Sequence, residues 1–251
     1  MTGDGKHGVF EGRTGSVALL WGERERPSRG PKPALSPERI ARTAIGLADA
    51  GGLTAVSMQR IAGELNFTKM SLYRYVPGKT ELVALMIDTA MGAPPDAPEG
   101  ADGAWRPALR AWAAALSAVF HRHPWLLEAA VGARVMGPHE LSWAERAVSA
   151  LTDTGLTGGE QLDAVVLLTG HVRGIAQVAA AMGAGSERAS APEEVLSAAL
   201  NELLVGRSDR FPALTSALAS GATGRANQAL EFGLERILDG LEALIGRRAA
   251  R

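Results

Sequence analysis

Residues 57–82 read "SMQRIAGELNFTKMSLYRYVPGKTEL", and this stretch decides the fold. Ser57 stands as an N-cap, where a side-chain oxygen can accept an orphan N–H of the first helical turn, and Ile61, Ala62 and Leu65 follow at helical spacing. Asn66-Phe67 breaks the pattern. Thr68 then caps a further short helix predicted to run to about Val76, ahead of the Pro77-Gly78 break. Two short helices joined by about three residues make a helix-turn-helix. Both tyrosines of the chain, Tyr73 and Tyr75, lie here, on either side of Arg74 and ahead of Lys79.

Upstream, Ser36 caps a helix with Pro37 at its first position and apolar Ile40, Ala41, Ala44, Ile45, Leu47 and Ala48, ending at Gly51-Gly52. The pairs Leu35/Ile40, Val56/Ile61 and Phe67/Leu72 each flank a cap as a hydrophobic staple, so three helix starts share one device. Residues 1–34 are rich in Gly, Arg and Pro and read as a mobile basic arm, with at most a short turn around Val17–Trp21.

Downstream, a helix is predicted from Lys79 or Thr80 through Leu82, Leu85, Met86 and Met91, and the Pro- and Gly-rich residues 92–103 form a loop. Further helices are expected at about 104–122, 124–134, 138–154, 159–183, 192–206, 211–220 and 227–247, with a second loop at 183–191 and no strand-like alternation. The fold class is therefore all-α. An arm (1–34) precedes a three-helix helix-turn-helix domain (35–79), and a larger helical domain (80–251) follows.

The composition, 251 residues with 46% apolar and 21% charged side chains, suits one large or two smaller domains with a real core. The absence of cysteine excludes disulfides, thiolate metal sites and cysteine nucleophiles, and fits a reducing cytoplasm. No apolar run is read as approaching the roughly 18 residues that span a bilayer. Val17–Trp21 lacks the length and cleavage site of a signal peptide. A soluble cytoplasmic protein is expected. Residues 1–91 carry twelve Lys and Arg against nine Asp and Glu, and the remainder fourteen against eighteen, so the basic half is the one with the helix-turn-helix.

Lys69 follows the Thr68 cap, where a positive charge opposes the helix dipole at a cost of roughly a few tenths of a kcal/mol. DNA phosphates would offset that cost. Tyrosine hydroxyls are donors to phosphate oxygens, and Lys79 adds charge at the start of the next helix. Half-buried packing is the competing reading for Tyr73 and, less so, for Tyr75.

The stretch "LTAVSMQRIAGELNFTKMSLYRYVPGKTELVALMID" closely resembles the DNA-binding domain of the TetR (tetracycline repressor) family of transcription regulators, including its L-Y-x-[YH]-[VF]-x-x-K core. The segments "LLWGERERPSRGPKPALS" and "FGLERILDGLEALI" resemble an actinobacterial branch with a tetracycline-repressor-like C-terminal domain. By position, the resemblance implies that Gln59 on the second helix and Lys69, Met70, Ser71, Tyr73 and Tyr75 on the recognition helix face DNA, with Lys79 behind. Lys69 and Ser71 are the leading base-edge candidates; Gln59 can read adenine or touch the backbone, and Met70 can meet a thymine methyl. Ser57, Tyr73, Tyr75 and Lys79 are assigned to phosphates, and Arg74 is open between roles. Arg26, Arg29 and Lys32 resemble a minor-groove arm, against the commoner reading of a solvated tail.

One recognition helix reads few bases, so a two-fold dimer is expected. Its interface is placed on the last helix, through Leu230, Leu234, Ile237, Leu238, Leu241, Leu244 and Ile245, beside the long helix carrying Gly170 and Gly174. Part of both faces must be ordinary core. The candidate effector pocket takes in Trp112, Trp125, Met136, His139, Trp143, His171 and Arg173, of which His171 and Arg173 are costly to bury unpartnered. His121 and His123 are two apart and do not share a helical face, so no metal is expected, and no cofactor is called for. Nucleophile-elbow, phosphate-loop and dinucleotide motifs are missing, which argues against catalysis.

The expected function is that of a homodimeric repressor bound to a palindromic double-stranded DNA operator and released by a small, largely apolar effector. A helical carrier or sensor of apolar molecules without specific DNA binding is the alternative, a helical enzyme is a further rival, and both rank below the repressor. The basic and tyrosine contacts favour the repressor.

Overall fold

Helix α1 (Thr14–Trp21) lies inside the stretch predicted as a mobile arm, and corrects it there. Its apolar run packs across α5 (Lys79–Met91), buries Ser16, and ties down its end by donating the Trp21 indole N–H to the Met136 carbonyl at 2.8 Å. The computed structural model describes residues 14–22, 34–96, 104–182, 192–220 and 228–250. Arg26, Arg29 and Lys32, the proposed minor-groove contacts, fall outside these residues.

The head is built as its caps dictate. Ser36, Ser57 and Thr68 each accept the N3 backbone N–H at 3.2 Å, starting α2 (Pro37–Gly51), α3 (Met58–Leu65) and α4 (Lys69–Tyr73). Of the staple residues, Leu35, Ile40, Val56, Ile61 and Leu72 are buried and Phe67 is half-buried against them. The turn between α3 and α4 needs a left-handed residue, and Asn66 supplies it at φ 57°, a conformation its short polar side chain tolerates. α4 stops at Tyr73, short of the expected Val76. The N–H groups of Tyr75 and Val76 both turn to the Leu72 carbonyl, and Pro77 disfavours helical geometry at Val76.

α5 runs from the head into the larger domain, packing on α1, α2, α7 and α8. That domain contains α6 (Trp105–Arg122), α7 (Leu126–Ala129), α8 (Pro138–Ala150), α9 (Gly158–Ala181), α10 (Pro192–Leu204), α11 (Pro212–Ser220) and α12 (Gln228–Ala249). The helix expected over 124–134 shrinks to the single turn α7. Trp125, Leu126 and Leu127 are buried in succession, Ala130 leaves helical geometry, and Gly132 takes φ 73°. The helix expected over 138–154 breaks after Ala150 into a short 3-10 turn at Thr152–Thr154.

α9 starts with a capping box, in which Thr157 accepts the Glu160 N–H and Glu160 accepts the Thr157 N–H. By length and composition it is apolar enough to cross a bilayer, contrary to the sequence reading, because alanine and glycine dilute its few polar residues. It packs on α6, α7, α8 and α12. α12 is fastened to α6 by Arg106, which reaches Glu235, Asp239 and Glu242, and by Arg110, which also meets Glu235. These guanidinium groups hold the Glu235 and Asp239 carboxyls below their usual range.

Candidate functional site

The outward face of α4 is set by what its inward face buries. Leu72 and Val76 are fully buried in the head, so Lys69, Met70 and Arg74 are left exposed, Met70 to 73%. Lys69 Nζ stands 5.8 Å from the centroid of the Tyr73 ring, a cation–π contact that steadies a long side chain at the helix start. Tyr73 and Tyr75 are half-buried, so the packing reading holds for both while part of each side chain stays accessible. The Ser71 hydroxyl lies 2.8 Å from that of Thr68, a bond that either can donate and that leaves Ser71 capacity for a further partner. Gln59 and Ser57 are exposed at the start of α3, with the Ser57 oxygen occupied by the Arg60 N–H, and Lys79 is exposed at the start of α5. Among the predicted contacts of the head, Ser57, Gln59, Lys69, Met70, Arg74 and Lys79 are thus exposed, and they carry positive charge, apolar reach and polar donors.

Two carboxylates that the sequence reading passed over make long-range contacts, Asp49 from the head to the helical domain and Asp88 within the helical domain. Asp49, near the end of α2, accepts the Trp125 indole N–H at 2.7 Å, and the same oxygen meets His123 Nδ1 at 2.8 Å. Asp88, buried in α5, accepts the backbone N–H groups of His139 at 2.8 Å and Glu140 at 3.2 Å, and pairs with His139 Nδ1 at 3.0 Å. It acts as an N-cap for α8 supplied from another helix. A Cβ at Gly137 would lie 2.2 Å from its Oδ1, so this approach needs glycine. A carboxylate within the apolar run "LVALMID" was the available signal for Asp88.

The predicted effector residues have different surroundings. Trp112 and Trp143 are buried, meet edge to face with centroids 6.0 Å apart, and donate to the Trp143 and Gly92 carbonyls at 2.9 and 3.0 Å, which makes them core. Met136 is exposed and His139 is held by Asp88. His171 is wedged against α12, Nε2 lying 2.9 Å from the Leu230 carbonyl, and a Cβ at Gly233 would collide with its ring. Arg173 donates to the Leu127 and Ala130 carbonyls, and burial together with neighbouring Arg134 lowers its pKa. Trp125 borders a cleft of about 450 Å³ with Ala48, Asp49, Leu127, Glu128 and Gln177. His121 turns to the Ser117 carbonyl at 2.8 Å and His123 to Asp49, so the two histidines have separate partners.

The expected dimer residues divide. Leu234, Leu238 and Leu241 are buried within the protomer, and Leu230, Ile237, Leu244 and Ile245 are half-buried against its core. An uncovered apolar strip runs along α9 through Leu162, Val166, Leu167 and Val178, with Val166 70% exposed, and Phe232 of α12 is exposed as well. Gly170 and Gly174 run along it, and a Cβ on either would meet no atom within 4 Å.

A family model for bacterial regulatory proteins of the tetR family matches residues 40–86, and one for the tetracyclin repressor-like C-terminal domain matches residues 97–245. The HTH-type transcriptional repressor DrrR1 of Streptomyces coeruleorubidus is 38% identical over 235 residues, 93% of this chain and 87% of that protein. An HTH-type transcriptional regulator of Saccharopolyspora erythraea is 29% identical over 247 residues, 98% of this chain and 99% of its own length. Among solved structures, the Streptomyces coelicolor TetR family protein ActR in complex with actinorhodin superposes with a TM-score of 0.70 at 28% identity, covering 86% of this chain and 100% of that one.

Proposed function

The chain belongs to the TetR family of bacterial transcription regulators, and we propose that within it this protein is a repressor whose heads leave their operator when the helical domain takes up a small, largely apolar molecule. Regulators of this family bind operator DNA, respond to small-molecule effectors and act as homodimers, and they are not enzymes. The observation that carries the finer reading is the α4 surface, on which Lys69, Met70 and Arg74 stand exposed above a fully buried Leu72 and Val76.

On this reading, residues 35–79 form the DNA head and 80–251 the effector and dimer domain, with α1 joined to the latter. Lys69 and Gln59 read bases, with Met70 against a thymine methyl, while Tyr73, Tyr75, Lys79 and Ser57 hold phosphates. The partner subunit covers the apolar strip of α9 and Phe232 of α12, because a row of exposed branched side chains flanked by Gly170 and Gly174 suits close helix packing. The protein acts in the cytoplasm, where its operator is.

ActR, crystallised with actinorhodin, shows a structural neighbour of this chain holding a small molecule. An effector of this chain is expected to shift the equilibrium between two head spacings, which requires that it bind one of them more tightly. The test is selection of fragments from random duplex DNA by the purified dimer, then sequencing. A palindrome with half-sites about one helical turn apart is expected. No enrichment by a folded dimer overturns the reading in favour of a ligand carrier.

A further inference from the structure

A second cleft, of about 370 Å³, lies outside the tryptophan-filled interior, between α1, the first half of α5 and the chain from Ala129 to Val135. Its walls are apolar: Val83, Ala84 and Ile87 of α5 face Val131 and Val135. Its polar groups differ from those of the interior. Lys79 and Thr80 stand at one end, Arg134 at another, and Ser16 closes it from α1.

The charge balance of this cleft is positive. Arg134 is answered by Glu140, a pair that also fixes the guanidinium in place. Lys79 has no carboxylate partner among the described residues, and Glu81 leans instead towards the backbone at Gly15 and Gly78. Ser16 is 2% exposed, and its hydroxyl makes no hydrogen bond to any described residue. A buried hydroxyl in that state is costly, and a ligand oxygen would relieve it.

The geometry points to a binding site for a small amphipathic organic anion, such as an aromatic carboxylate, with its charge at Lys79, a polar oxygen at Ser16, and its apolar body between α5 and the 131–135 segment. The volume is at the small end of the range that holds drug-sized ligands, roughly 300–1,000 Å³. α1 serves as the cover of the site, latched by the Trp21 indole on the Met136 carbonyl. The site does not depend on the DNA-binding reading. If that reading holds, Lys79 is shared, because one ammonium cannot fully serve a ligand carboxylate and a DNA phosphate together.

The experiment uses the full chain and the photoreactive carboxylate 4-benzoylbenzoate, with peptide mapping of the cross-links. Saturable labelling at one site per chain is expected within residues 83–87 or 131–135. Lys79→Gln should weaken apparent affinity about tenfold, the size of one lost charge-assisted hydrogen bond. Thr80→Trp, at an exposed position whose ring would occupy the cleft, should abolish the labelling with the far-ultraviolet dichroism unchanged. Labels confined to other segments, equal labelling by the neutral 4-methylbenzophenone, or insensitivity to both substitutions overturns the site. Labelling repeated with saturating duplex DNA reads the shared lysine separately: protection supports its phosphate role, and undiminished labelling removes that role while the cleft stands.

Discussion

Trp125 and Asp49 meet across the boundary between the head and the helical domain, the indole N–H donating to the carboxylate at 2.7 Å while Trp125 itself is almost wholly buried. The bond joins the tail of α2 to the turn before α7, so a buried polar contact, as well as the continuous helix α5, ties the two parts of the chain together.

Trp125→Phe keeps most of the ring packing and deletes the donor. Its expected cost is about 0.5–1.5 kcal/mol, the range for one lost hydrogen bond, because the Asp49 oxygen keeps His123 and stays in reach of water. Urea unfolding of the dimer checks this. Operator affinity without effector should stay near wild type while the response to effector changes. Loss of DNA binding in a folded variant would place Trp125 in the head rather than at the joint.

Gly137→Ala should cost about 1–3 kcal/mol, because its Cβ has to displace the Asp88 carboxylate that caps α8. Asp88→Ala alone should cost about 0.5–2 kcal/mol through the lost cap. The double substitution should cost less than the sum, since truncating Asp88 removes the atoms with which the new methyl collides. Additive losses would show that the two residues do not act on each other.

Lys69→Ala should lower operator affinity by about 1–3 kcal/mol and relax base preference, whereas Lys79→Ala should weaken operator and random duplex alike and reduce the salt slope by about one. Binding isotherms at several salt concentrations distinguish the two. Equal losses on both DNAs for both variants would sink the assignment of Lys69 to bases.

Glu160 carries the acid sensitivity of the α9 start. Hydrogen bonds from Arg248 and from the Thr157 backbone and hydroxyl lower its pKa from 4.5 to about 2. A folded-state pKa below the unfolded value means that the carboxylate stabilises the fold above about pH 4.5, and that this contribution disappears as the pH falls through about 2. Glu160→Gln should therefore lower the melting temperature at neutral pH and flatten its fall across that window. An unchanged acid limb in melting curves would assign the sensitivity elsewhere.

The head was legible because its signals are local. Cap, staple and left-handed Asn66 sit within a few residues of the turns they make, and the structure places them there. α1 was not legible: Val17–Trp21 is an uninterrupted apolar run, without the periodicity that separates a docked helix from a greasy turn. The effector residues were chosen for size and polarity, criteria that the core meets equally well. Trp112 and Trp143 settle into it with both indole N–H groups bonded to carbonyls. Asp49 and Asp88 were missed because their partners lie 76 and 51 residues away, a separation on which no pattern in one sequence reports.

α5 is 13 residues long, so as a rod it measures roughly 20 Å from the Lys79 end to the Met91 end. With Asp88 near one end gripping α8, a tilt of about 5° there carries the other end through about 1.7 Å, and two symmetric heads separate by about twice that. Hydrogen bonds to DNA tolerate only about half an ångström of stretch. The protein therefore has no need to unfold or reshape a head to let go: a lever of this length converts a rearrangement smaller than a side-chain rotation into a misfit of the whole dimer on its site.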